Sequence, residues 1–253
     1  YFSRGEFVIE QYFARDFDEE RAALHLASLV LEARPKWVSY NGKTFDAQLI
    51  NQRLIFHRIR GPLEPALHLD LLYPVRRFWK GALGECSLTR AEQHILGVRR
   101  DGDVPSYLVP QIYFRYLRDR DSWPLQPVFE HNRLDILSLV GLLDACARVL
   151  ENPGSAPGEP DYRQASRLLH QRGRTEQAID VVEKTLAHVS SPRVRKVLLV
   201  ELASLLKQQQ RWDRAVQLWE EAIALPGFAL DPYVELAKYY EHRERRLERA
   251  EQL

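Results

Sequence analysis

The amino-acid sequence predicts a layered α/β domain followed by an all-α one, and three observations carry that prediction. Over residues 1–150, short apolar runs alternate with segments of helical period, the pattern of strands separated by helices. At 151–160, ENPGSAPGEP places three Pro and two Gly in ten residues, which neither a helix interior nor a central strand tolerates. Beyond that stretch only the helical period remains. The expected organisation is a first domain over 1–150, a linker over 151–160 and a helical domain over 161–253.

The elements of the first domain read in order. GEFVIEQYF (5–13) sets Phe7 and Ile9 on one side and Val8 and Tyr12 on the other, which is strand period. DEERAALHLASLVLEA (18–33) is an amphipathic helix, WVSY (37–40) a short buried strand and DAQLINQRLIFHRI (46–59) a second helix. LHLDLLY (67–73) is another strand and VRRFW (75–79) a short helix. In SLTRAEQHILG, Ser87 is the expected N-cap and Gly97 falls just past the end. VFEHNRLDILSLVGLLDACARVL (128–150) is a long helix with one broad apolar face.

Composition narrows the function classes. Hydrophobic residues make up 45% and charged residues 28%, which is ordinary for a soluble globular protein. No run approaches the roughly 18 apolar residues of a membrane span, and YFSRGEFVIEQYF lacks the layout of a signal peptide. Cys86 and Cys146 are too few for a disulfide framework and fit a reducing, cytoplasmic compartment. The 36 Lys and Arg balance 35 Asp and Glu, so no basic excess announces nucleic acid. Locally, RLIFHRIR (53–60) and RRFWK (76–80) interleave cations with aromatics, which suits phosphates and stacked bases or, equally, solvated helix faces. The chain has no Met and stops at RRLERAEQL in mid-pattern without a cap signal, so it reads as a fragment at both ends.

The helical part repeats. In VELASLLKQQQRWDRAVQLWEEAIALPG, Ala203, Leu206, Ala215, Trp219 and Ala222 occupy the small and large packing positions of a helical hairpin. LLHQRGRTEQAIDVVEKTLA precedes it in register and YYEHRERRLERAEQL follows, and the equivalent alanines are Ala178, Ala215 and Ala250. Steps of 37 and 35 residues lie close to the roughly 34-residue tetratricopeptide period. Residues 161–253 therefore resemble a degenerate TPR array, a partner-binding architecture. The plainer alternative is a generic α-hairpin bundle.

Two places could carry chemistry. WVSYNGKTFDAQLI (37–50) leaves a strand, turns at Asn41-Gly42 and puts Phe45-Asp46 at the start of a helix. Asp46 is then either a plain helix cap or a carboxylate held at a strand-to-helix corner for a metal ion. On the long helix, His131 and Asp135 stand at i and i+4, on one face. They are either an ordinary helical ion pair or part of a reaction centre.

NGKTFD followed by HNRLD resembles the second and third motifs of the DEDD exonuclease superfamily. The bacterial YprB-type ribonuclease H-like domain is the nearer resemblance: HLDLLYPVRRFW, CSLTRAEQHILGV, DVPSYLVPQIYFRYL and LQPVFEHNRLDILSL are similar to its blocks, in order, across nearly all of 1–150. Proteins of that type also carry TPR-like helices after the domain. The resemblance implies a ribonuclease H-like mixed sheet flanked by helices, and a metal-dependent nuclease, in particular a 3′–5′ exonuclease on DNA or RNA. Its site holds two divalent cations, Mg²⁺ or Mn²⁺, on four acids. Two such cations about 3.5–4 Å apart stabilise charge on both the attacking and leaving oxygens, and hard oxygen ligands suit them.

By that resemblance Asp46 and Asp135 are metal ligands, His131 is the general base, and Asn41 and Phe45 approach the terminal nucleotide. His131 departs from the pattern, because the spacing to Asp135 is that of the tyrosine branch. Asp70 in HLDLL matches no motif and reads as structural. The D-x-E motif of the family's first, central strand is not found ahead of residue 16, so this stretch alone holds half the acids and is expected to be inactive. The alternative is a scaffold of the same fold that only binds nucleic acid or protein, its TPR helices recruiting peptides; nucleotidyl-transfer or resolvase-type chemistry also stays open. No membrane partner is expected.

Overall fold

The computed structural model describes residues 1–59, 63–100 and 102–252. Arg60, which closes RLIFHRIR, and Leu253, which closes the third helical copy, lie outside the described residues. The chain divides into two compact units, one of residues 1–76 and 82–145, the other of 77–81 and 146–253.

The first unit opens with a small antiparallel hairpin, β1 (Phe2–Ser3) on β2 (Glu6–Phe7). The strand expected over 5–13 is cut short there. Val8 N–H turns back to the Tyr1 carbonyl at 2.8 Å. Beyond it the segment bonds to a helix instead of a ladder: Gln11 Nε2 donates to the Phe129 carbonyl at 2.9 Å and to Asn132 Oδ1 at 3.0 Å. Phe13 completes the anchorage, its ring 5.2 Å from Phe129 and 5.5 Å from Tyr116 between centroids, the edge and tilted packings aromatic rings favour.

Then follow α1 (Glu20–Glu32), β3 (Lys36–Ser39), α2 (Asp46–Phe56), β4 (Leu67–Asp70) and α3 (Leu72–Leu83). β3 and β4 pair in parallel with Lys36 opposite Leu67 and Ser39 opposite Asp70. The mixed ribonuclease H-like sheet expected from the resemblance is thus, among the described residues, this one parallel pair with a detached hairpin. A wider sheet needs strands hydrogen-bonded outside β3 or β4, and the described residues supply none. One face of the pair is open: Val38, Leu67 and Leu69 share it and are exposed. Parallel strands ordinarily have both faces covered.

The core of this unit gathers Leu54, Leu71, Val75, Ala91 and Leu142, each fully excluded from solvent. Burial of a leucine side chain stabilises by about 2 kcal/mol. The helix expected after Ser87 divides into α4 (Leu88–Ala91) and a π-helical turn, Glu92–Leu96, ended by Gly97 at φ +69°. Gly141 admits that turn, since a Cβ there would sit 3.0 Å from Leu96 Cδ1. After α5 (Val109–Asp119), α6 runs from Gln126 to Glu151, taking the first residue of the expected linker into the helix.

The second unit is helical: α7 (Tyr162–Gln171), α8 (Thr175–His188), α9 (Pro192–Gln208), α10 (Trp212–Ala224), α11 (Leu230–His242) and α12 (Leu247–Glu251). Asp161 caps α7, its carboxylate accepting from Arg163 N–H at 3.0 Å. Each helix packs on the next. The backbone repeats as well as the sequence. Gly173, Gln210 and Arg245 all take positive φ (75°, 60° and 57°), in the same register as the three alanines. The next residue in each copy, Arg174, Arg211 or Arg246, donates its N–H back to the preceding helix, and its carbonyl accepts from Ala178, Ala215 or Ala250. Ala178 and Ala215 are fully buried, as are Ala203, Leu206, Trp219 and Ala222.

Candidate active site

The β3–α2 corner is built around a buried carboxylate. Asp70, at the end of β4 and 2% exposed, accepts from the N–H groups of Asn41 at 2.7 Å, Lys43 at 3.0 Å and Leu72 at 3.1 Å. Three charge-assisted bonds replace its hydration and tie the corner to the sheet. Asn41 has φ +61°, and its Oδ1 accepts from Thr44 Oγ1 at 2.9 Å. Gly42 is buried against β3, where an added Cβ would fall 2.5 Å from Ser39 Cβ, so the turn admits no side chain there.

This geometry presents Phe45 and Asp46 outward. Phe45 takes the N-cap position of α2, and Asp46 is the first residue of the helix, so Asp46 is not the cap. Its carboxylate is exposed and makes no hydrogen bond or ion pair among the described residues. The helix N-terminus favours an anion there. Phe45 is 67% exposed.

The other predicted residues meet on α6. His131 Nε2 lies 3.5 Å from Asp135 Oδ2, and both side chains are half-buried. Around them stands a charged cluster that sequence reasoning missed. Arg100 donates through Nη2 to Asp135 Oδ1 at 2.8 Å and to Glu92 on the π-helical turn. Its Nη1 reaches Asp103 Oδ2 at 3.3 Å and the His131 carbonyl at 3.5 Å. Asp103 in turn meets His131 Nδ1 at 2.7 Å.

Burial opposes the Arg100 charge, but the Asp135 and Glu92 carboxylates outweigh it and hold the guanidinium above its ordinary pKa. Burial likewise pushes the Asp103 carboxyl up, while the bond from His131 and the charges of His131 and Arg100 bring it below its usual value. One guanidinium faces three carboxylates, so the cluster keeps a negative balance and attracts cations. The signal for it lay in ILGVRRDGDVPS, where a basic pair and spaced acids follow Gly97. Neither helical nor strand period distinguishes those residues from a solvated loop.

The structure thus gathers His131 with Asp135, and Asn41 with Phe45 and Asp46. No hydrogen bond, ion pair or ring contact joins the two groups among the described residues. Their donors fit a hard divalent cation in kind, since carboxylate oxygen suits Mg²⁺ or Mn²⁺. In number they do not complete a centre. Among the described residues no group of three or more His, Cys, Asp or Glu is spaced to hold a metal ion, and Asp135 already pairs with Arg100.

The profile of the RNase H superfamily matches residues 1–147, and the chain belongs to that superfamily. It is 33% identical over 225 residues to the protein YprB of Bacillus subtilis (strain 168), covering 85% of this chain and 53% of that protein. The chain therefore spans about half the length of that relative. No solved structure matches it. Among the described residues no helix is long and apolar enough to cross a membrane.

Proposed function

We propose that residues 1–150 belong to a metal-dependent nuclease domain, acting as a 3′–5′ exonuclease on DNA or RNA, joined through residues 151–160 to a TPR-type partner-binding module over 161–253, in the cytoplasm. Membership of the RNase H superfamily supports nuclease-like chemistry. The single observation that carries the reading is the exposed Asp46 carboxylate, which has no partner among the described residues, on a corner that Asp70 ties to the sheet. A short acid fixed in this way is suited to a cation, and a plain cap would bond its own helix.

Asp46 and Asp135 would hold divalent cations together with the D-x-E acids that the resemblance implies. When bound, such ions stabilise the charge that builds on the oxygens of a phosphodiester under attack. The chain's own residues do the rest. Phe45 offers a stacking face for a terminal base, Asn41 supplies an amide at the same turn, and His131 holds or accepts a proton at Nε2. The repeated Gly173, Gln210 and Arg245 conformation supports the TPR reading of the second unit, whose partner is a protein or peptide.

The test is incubation of the complete protein with end-labelled DNA and RNA oligonucleotides and Mg²⁺ or Mn²⁺. Shortening from the 3′ end that disappears in Asp135→Ala is the expected result. Undiminished cleavage by that variant refutes the role given to Asp135.

One observation favours a second reading, a scaffold that binds without cleaving: Arg100 occupies an oxygen of Asp135. Titration of the complete protein with millimolar Mn²⁺ separates the two, because the scaffold binds none.

A further inference from the structure

We propose that Asp103 is the positioning residue for His131, holding its imidazole as the Nδ1–H tautomer so that Nε2 is the basic nitrogen offered at the site. The inference rests on the nuclease reading for its purpose but not for its geometry. Among the described residues, only Nδ1 of the two ring nitrogens stands at short hydrogen-bond distance from a carboxylate, 2.7 Å from Asp103 Oδ1. A carboxylate has no proton to give, so the proton belongs to Nδ1; the opposite tautomer would set two lone pairs against each other at that distance.

The surroundings agree with that assignment. Nε2 ends 3.5 Å from Asp135 Oδ2 and 3.5 Å from Ser106 Oγ, too far for either to compete with the Asp103 bond. Arg100 Nη1 lies 3.4 Å from Nδ1, a far weaker contact than the 2.7 Å Asp103 bond, and stands nearer Asp103 Oδ2 at 3.3 Å. Asp103 is itself fixed: Oδ1 accepts from Val104 N–H at 2.9 Å and Oδ2 faces Arg100. The chain after Gly97 thus returns across α6 to deliver one carboxylate to one ring nitrogen. A histidine whose second nitrogen is held by a carboxylate keeps ring orientation and tautomer together, which a catalytic base needs.

The test has one arm that needs no activity. Long-range ¹⁵N–¹H correlation spectra of the histidine-labelled complete protein are recorded at rising pH until the His131 signals stop changing, with Asp103→Asn and Asp103→Glu alongside. The expected result is a pyrrole-type Nδ1 and pyridine-type Nε2 for His131 in the wild type. Asp103→Asn, whose amide can donate to Nδ1, should shift the balance toward Nε2–H, and Asp103→Glu should restore Nδ1–H. A wild-type Nε2–H tautomer overturns the proposal, and so does Nδ1–H unchanged in a folded Asp103→Asn. The wild-type spectrum decides even where the asparagine variant does not fold.

In the second arm, Asp103→Asn in the complete protein lowers kcat on an end-labelled oligonucleotide about 10²- to 10³-fold while KM stays within about twofold, the range for losing a positioned base. Unchanged kcat in a folded variant overturns the proposal. An inert wild type would instead defeat the nuclease reading, and the tautomer would still decide the role of Asp103.

Discussion

Arg100 Nη2 stands 2.8 Å from Asp135 Oδ1 while the same nitrogen grips Glu92, a carboxylate with only 1% of its side chain exposed. The helix α6 and the π-helical turn before Gly97 are thereby joined by one guanidinium. Breaking a buried pair leaves an uncompensated charge. Arg100→Leu is expected to cost about 3–5 kcal/mol in urea unfolding, and Glu92→Gln combined with it should recover part of that loss. A single-variant cost below about 1 kcal/mol would show that the cluster is solvated.

The corner separates a structural acid from a candidate functional one. Asp70→Ala strands three N–H groups and is expected to destabilise by about 3 kcal/mol. Asp46→Ala removes an exposed carboxylate that has no partner among the described residues and should change stability by less than about 0.5 kcal/mol. Denaturant midpoints at equal slope check both.

Gly173 has φ +75° and open space where a Cβ would go, so a substitution there meets backbone strain alone. Gly173→Ala should cost about 1–2 kcal/mol, and Gly173→Asn clearly less, because asparagine tolerates the left-handed region. Thermal unfolding monitored by circular dichroism reads the difference.

An acid-sensitive joint links α1 and α2. Hydrogen bonds from Arg53, at 2.6 Å to Oε1, and from His57, at 2.9 Å, hold the Glu20 carboxyl down at about 2. A depressed carboxylate contributes stability above its unfolded value, near 4.5, and loses it as pH falls toward about 2. Allowing for solvent screening, this contribution is about 1–2 kcal/mol. Arg53→Ala should therefore lower stability near pH 7 and flatten its fall between about pH 5 and pH 2, read from urea midpoints across that range.

Periodicity made the helices legible, and the blocks from HLDLLY to HNRLD made the superfamily legible. The strand over 5–13 misread because its alternation is real but its partners are not strands. Phe13 and Gln11 are spent on α5 and α6 rings and carbonyls. The recurring backbone turn at Gly173, Gln210 and Arg245 keeps the spacing of Ala178, Ala215 and Ala250, so its period is visible in the sequence. Arg100 and Asp103 left none: charges in a loop look alike whether solvated or clustered, and only the fold brings them to His131.

In the proposed nuclease, Asp46 and Asp135 serve one ion centre. Mn²⁺ affinity of the complete protein, measured by electron paramagnetic resonance for the wild type, Asp46→Ala, Asp135→Ala and the double variant, tests this directly. The expected result is strong coupling, with either single substitution costing nearly as much affinity as both. Independent, additive losses, or affinity unmoved by either change, would contradict it.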